Sequence, residues 1–218
     1  EDLDFTSNGL GVEAGGPVGE IIRRGHLRRL VLTTNALGAD GSTTGIHPIA
    51  DALKSDASLR ELHLRANQVG SAAGAILGKA LAANRALELL SLWKNALAGE
   101  GFKALMSGLQ SNVTLTHCDL RANSLDDEAG LAVASYVTRR NRLTTLLLSD
   151  NALGPESGKA LAKAWMDNNV LASVDLRANK LDRDAVAKLS AAKNAAAKKR
   201  PANAAGPQVE LFVDDVAD

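Results

Sequence analysis

Two stretches pair glycine with a following lysine in the manner of a phosphate-binding loop: Gly74-Ala75-Ile76-Leu77-Gly78-Lys79 and Gly154-Pro155-Glu156-Ser157-Gly158-Lys159. A true loop of this kind needs four residues between the glycines and a Ser or Thr hydroxyl after the lysine. Both stretches have three, and alanine follows in each (Ala80, Ala160), so neither is read as a nucleotide site. The histidines are His26, His47, His63 and His117. His63 and His117 fall on the same predicted face without a carboxylate partner at ligand spacing, which makes a weak metal set. Cys118, the single cysteine, occupies a position that leucine holds elsewhere and is read as a small buried hydrophobe. No nucleophile has a base at a recognisable spacing. Asn112-Val113-Thr114 is a formal glycosylation sequon, but nothing else indicates secretion. The sequence thus predicts no catalytic residue, no metal and no cofactor.

The chain is instead organised by self-similarity. On the spacing L-x-x-L-x-L-x-x-N-x-L, complete copies begin at Leu59, Leu87, Leu115, Leu143 and Leu171, each 28 residues after the last. Another copy begins at Leu27, 32 residues before Leu59, and a cut-off copy (Leu3, Phe5, Asn8, Leu10) opens the chain. A second-order pattern overlies the first. Copies at 59, 115 and 171 carry Leu-Arg-Ala-Asn, whereas copies at 27, 87 and 143 carry Asn-Ala-Leu. These motifs resemble the leucine-rich repeat proteins, and the 28-residue period with two alternating repeat types resembles the ribonuclease-inhibitor-like subfamily. The resemblance covers about residues 1–190. It implies an α/β solenoid, a horseshoe with parallel strands on the concave face and helices on the convex face.

The residues explain that build. Alternation at L-x-L sends apolar side chains into the core and the intervening residues outward. Asn8, Asn35, Asn67, Asn95, Asn123, Asn151 and Asn179 mark where the chain leaves each strand. Their amides both donate and accept, so they are read as a structural ladder. The second half of each unit has helical spacing, as in Phe102, Leu105 and Leu109, with Trp165 packing among the convex helices. Hydrophobic residues make up 45% of the chain but aromatic ones only 3%, so the core is filled by thin repeated layers of leucine and alanine. One repeat domain over 1–200 is expected, with 201–218 a linker followed by a capping strand or tail. The strand is placed at Val209–Val213, either closing the C-terminal edge or docking on a partner. The four extra residues of the copy at Leu27 are placed in the loop Gly38–Gly45.

The charge is balanced, 25 Lys+Arg against 25 Asp+Glu, which disfavours a nucleic-acid binder. No apolar run is long enough for a membrane span. An intracellular, cytoplasmic location is expected, with an organelle or cilium left open. The surface that remains is concave, and its outward positions form three rows. One reads Asp2, Arg29, Glu61, Leu89, His117, Thr145 and Ser173. The next reads Asp4, Val31, His63, Ser91, Asp119, Leu147 and Asp175. The third reads Thr6, Thr33, Arg65, Trp93, Arg121, Ser149 and Arg177. Trp93 is the only aromatic expected at an outward strand position, with Arg65 and Arg121 on the adjacent strands. Trp and Arg are enriched in binding hot spots. Arg65, Trp93 and Arg121, with His63, Leu89, Asp119 and Leu147, are therefore the expected partner-binding residues, and the expected role is a non-catalytic protein-interaction module, a scaffold or subunit of a larger assembly. Two alternatives are a sensing domain of a longer receptor-like chain and a GTPase activator of the Ran type, which the repeat class resembles. Inhibition of a basic ribonuclease is disfavoured by the mixed concave charge and the lone Cys118.

Overall fold

The computed structural model describes residues 1–138, 142–199 and 209–214. Eight strands form one sheet in chain order, every neighbour parallel: β1 (Asp2–Asp4), β2 (Arg29–Val31), β3 (Glu61–His63), β4 (Leu89–Ser91), β5 (His117–Asp119), β6 (Thr145–Leu147), β7 (Ser173–Asp175) and β8 (Glu210–Phe212). Between them run α1 (Gly15–Arg23), α2 (His47–Ser55), α3 (Ser71–Ala83), α4 (Gly99–Leu109), α5 (Asp127–Val137), α6 (Pro155–Asp167) and α7 (Arg183–Lys199). Each helix packs on the next, so the molecule is a solenoid of stacked strand–helix units.

The register is the one the repeat spacing dictates. Leu30, Leu62, Leu90, Cys118, Leu146 and Val174 are successive partners across the sheet and are all buried. The longer unit at Leu27 keeps register because its extra residues are taken up before α2, in a 3₁₀ turn at Ala39–Gly41 with Asp40 left-handed at φ 54°. Trp165 is fully buried, and its indole Nε1 donates to Leu171 O at 3.0 Å.

The asparagines show what holds neighbouring units together, and they do so in two ways. Asn35, Asn95 and Asn151 each accept two backbone N–H groups from the preceding unit. For Asn95 these come from Asn67 at 3.0 Å and Val69 at 2.9 Å. Asn67, Asn123 and Asn179 each accept one, from Leu37, Leu97 and Leu153. All six donate Nδ2 to a strand-end carbonyl of the preceding unit. Asn8, in the turn after the first strand, is exposed and donates to Thr6 O. The two modes follow the two repeat types and have a backbone cause. The residue before every ladder asparagine is left-handed, from Ser7 at φ 57° to Ala178 at φ 52°. The residue after it is also left-handed at Gly9, Gln68 and Ser124, which aims two N–H groups at the next unit's asparagine.

A second asparagine row appears where the helices end. Asn84 Nδ2 donates to Leu53 O at 2.7 Å, Asn112 Nδ2 to Leu81 O at 2.8 Å and Asn168 Nδ2 to Val137 O at 2.8 Å. Their Oδ1 atoms accept from the first N–H groups of the following loop, and Asp56 does the same for Ser58 and Leu59. The Asn112 side chain is therefore buried and fully engaged, which removes it as a glycosylation acceptor.

The two phosphate-loop mimics are packing sites. A Cβ on Gly78 would lie 2.6 Å from Ala104 O and 2.8 Å from Leu105 Cα, so glycine is what lets α3 and α4 touch. A Cβ on Gly158 would meet Ala185 and Leu181 in the same way, 2.8 Å from each. The C-terminal segment joins the sheet: β8 pairs parallel with β7, and its N–H groups and carbonyls extend the ladder. Residues 200–208, where the predicted linker falls, lie outside the described residues.

Candidate functional site

The strand ladder places the three outward rows as the repeat phase requires. Glu61, Leu89 and His117 are partners in one row, and His63, Ser91 and Asp119 in the next. The third row lies two residues past the strands, where Arg65, Trp93 and Arg121 come side by side. The Arg65 guanidinium sits 3.6 Å from the Trp93 ring centroid and that of Arg121 4.1 Å, so the indole is held between two cations. Such contacts are each worth about 0.5–2 kcal/mol, depending on how far water is excluded.

This stack lies in a hollow of about 370 Å³ on the concave face. All seven residues expected at a partner site line it: His63, Arg65, Leu89, Trp93, Asp119, Arg121 and Leu147. Arg29, Thr33, Ser91, His117 and Thr145 add to its polar wall. Cys118 also borders it, yet is 2% exposed, and burial pushes its thiol up to about 12. It is inert packing rather than a nucleophile.

The polar groups of the hollow are largely tied to one another. Arg121 makes a two-point pair with Asp119, Nε to Oδ1 at 2.9 Å and Nη2 to Oδ2 at 2.8 Å. Ser91 Oγ adds a hydrogen bond to the same carboxylate at 3.2 Å. Two strands on, Arg177 repeats the arrangement with Asp175 at 2.9 and 2.8 Å. Burial raises the Asp175 carboxyl, but the bonds and charge of Arg177 outweigh it, and the group titrates below its usual value. Glu61 bridges Arg29 at 3.3 Å and His63 at 3.4 Å. His63 therefore does have a carboxylate beside it, which the spacing argument missed because Glu61 is two residues away on the same strand face. A single carboxylate still does not make a metal set: among the described residues no group of three His, Cys, Asp or Glu side chains could hold an ion.

Sequence reasoning also missed Phe212. It is 40% exposed on β8, opposite Asp175, and Arg177 lies 5.3 Å from its ring. Trp93 is thus not the only outward aromatic. The phase of β8 could not be read, because no repeat motif ties it to β7. Asp214 completes this end by accepting from Ala178 N.

Among the described residues no helix is long and apolar enough to cross a membrane. A family model described as a leucine-rich repeat matches residues 142–162. No curated protein sequence matches the chain. Among solved structures, the tropomodulin C-terminal domain of Caenorhabditis elegans aligns with TM-score 0.59 and 16% identity, over 71% of this chain and 94% of that one. The actin-binding site 2 of leiomodin-1 aligns with TM-score 0.50 and 13% identity, over 84% of this chain and 89% of that one. At these identities the likeness is one of fold. The one matched repeat, the shared fold and the unbroken register of strands and asparagines give this chain a leucine-rich-repeat solenoid fold.

Proposed function

We propose that the protein is a non-catalytic binding module that takes a protein partner on its concave face, centred on Trp93. The observation that carries this is the Arg65–Trp93–Arg121 stack, a half-buried amphipathic aromatic that lines a hollow and fills no core. Aromatic and arginine side chains are enriched in binding hot spots, and here the stack already restrains the arginine rotamers. The mixed charges around them suit a protein surface better than a phosphate backbone. The alternation of two asparagine bonding modes supports a place near the ribonuclease-inhibitor-like repeats.

Actin is the partner to try first, since one similar structure is of an actin-binding site. Sedimentation with actin filaments and titration of monomeric actin test it directly. Recovery of partners from the native source tests the face in general, with Trp93→Ala/Arg121→Ala compared against the convex variant Lys103→Ala. The reading expects one protein to be retained by the wild type and by the convex variant and lost with the double variant. Equal recovery by all three would refute it.

A further inference from the structure

The three arginines of the third concave row, Arg65, Arg121 and Arg177, are not equivalent. In two copies an aspartate stands two residues before the arginine, Asp119 before Arg121 and Asp175 before Arg177, and each fills its guanidinium fork through Nε and Nη2. In the copy at Leu59 that position is His63, whose Nε2 turns to Glu61 at 3.4 Å. Arg65 has no carboxylate partner among the described residues, and its Nε is buried without a hydrogen bond. A covered, unpaired N–H of this kind is a standing cost, and no internal carboxylate among the described residues neutralises the guanidinium that carries it. Arg65 is also fixed in direction by its stack on Trp93, so its fork is preorganised.

We infer that Arg65 is the anchor for a carboxylate of an acidic segment of the protein partner, held at its unpaired guanidinium. The inference rests on the concave-face reading above and adds the partner's chemistry to it. The site is a fork whose internal counter-ion is missing in one copy out of three, beside an aromatic face and the apolar Leu89. The C-terminal strand shows the matching ligand chemistry on the same face. There an extended segment lays Phe212 against Arg177 and closes with Asp214 on the Ala178 N–H. An extended acidic segment with interspersed apolar residues fits the Arg65 end by the same rules.

The test is nuclear magnetic resonance of the whole chain, following the arginine Nε–H and Trp93 Nε1–H signals. The probes are a short peptide of alternating leucine and glutamate, its leucine–glutamine counterpart, and a single-stranded oligothymidylate. The acidic peptide is expected to shift Arg65 Nε–H and Trp93, while Arg121 and Arg177 Nε–H stay in place because Asp119 and Asp175 hold them. The neutral peptide should bind at least about tenfold more weakly, and Arg65→Gln should cost the acidic peptide a similar factor. Arg65→Lys, which keeps the charge but not the fork, should recover only part of it. Equal shifts in all three arginines, no response of Arg65, or a stronger response to the oligothymidylate would each overturn the inference. A Trp93 shift with both peptides and none specific to Arg65 would overturn the anchor while leaving the concave binding face intact.

Discussion

The two asparagine modes make a prediction in which two physical rules disagree. Asn123 is 1% exposed, whereas Asn95 is only partly buried. If burial alone set the cost, Asn123→Ala would be the worse loss. The hydrogen bonds say otherwise. Asn95→Ala strips the acceptor from two N–H groups, Asn67 at 3.0 Å and Val69 at 2.9 Å. Asn123→Ala strips one, Leu97 at 3.2 Å. On the donor side the two are alike, each giving Nδ2 to strand-end carbonyls at 2.9–3.1 Å. A buried donor left unpaired costs about 1–3 kcal/mol. Asn95→Ala should therefore lose about 2–4 kcal/mol, water reaching part of the opened turn, and Asn123→Ala about half as much. Against a total stability of about 5–15 kcal/mol, either loss is large. Urea unfolding gives the global values. A solenoid can open unit by unit, so hydrogen exchange at the Asn67 and Val69 amides must accompany it. Those two amides should lose protection in Asn95→Ala and keep it in Asn123→Ala. A cost for Asn123→Ala equal to or above that of Asn95→Ala would refute the donor count and leave burial as the governing term.

Three further outcomes follow from the same structure. Gly78→Ala forces a methyl to within 2.6 Å of Ala104 O and should destabilise by about 1–3 kcal/mol in thermal unfolding, whereas Gly16→Ala in α1, with open space around it, should stabilise by about 0.5–1 kcal/mol. Ala122→Gly relieves a left-handed alanine at φ 50°, a strain of about 1–2 kcal/mol offset by about 0.5–1 kcal/mol of chain entropy, so a small rise in the unfolding midpoint is expected and a fall would refute it. Asp175 and Asp127 both titrate below their usual value. In each, burial pulls the other way and is outweighed, by Arg177 for Asp175 and by Ser157 and Gly154 for Asp127. Their contribution is complete above the unfolded carboxylate value of about 3.9 and is lost as pH falls through their lowered native values, so Asp175→Asn/Asp127→Asn should flatten the acid limb of stability against pH.

The concave face was legible because strand phase has a period of two and the repeat fixes that phase. Arg65, Trp93 and Arg121 are neighbours for that reason alone, and the longer unit at Leu27 did not disturb it because its insertion lies outside the strand. The ladder asparagines were legible as a set, but their two modes were not. What separates them is the backbone after the asparagine, and at Gln68 and Ser124 the left-handed turn is carried by residues that do not advertise it as glycine would. The second row, Asn84, Asn112 and Asn168 with Asp56, was readable in principle, since all four stand three residues before a repeat's first leucine. At Asn112 the sequon formed with Thr114 masks that role, a local motif that burial overrides. Phe212 was unreadable for a different reason: it follows a stretch with no repeat, so nothing in the chain sets its phase.

The proposed recognition falls where the repeat pattern breaks. A residue that recurs at the repeat spacing serves the stacking, because each unit meets its neighbours in the same way. The aspartate–arginine pairs at 119–121 and 175–177 recur, and they satisfy themselves. They are two outward charges closed into a neutral, rigid surface. The information lies in the copies that break the pattern. At 91–93 the pair becomes Ser91 and Trp93, which sets an aromatic between the arginines of two neighbouring units. At 63–65 the aspartate becomes His63, which leaves one fork without its counter-ion. These two departures among the several copies without the pair are adjacent, and each would weaken the face if nothing were to bind there. Restoring the pattern with His63→Asp is therefore the sharpest separation of stability from function. It should pair Arg65 as Asp119 pairs Arg121, leave the stack on Trp93 in place, hold or raise the unfolding midpoint, and abolish binding of the acidic segment.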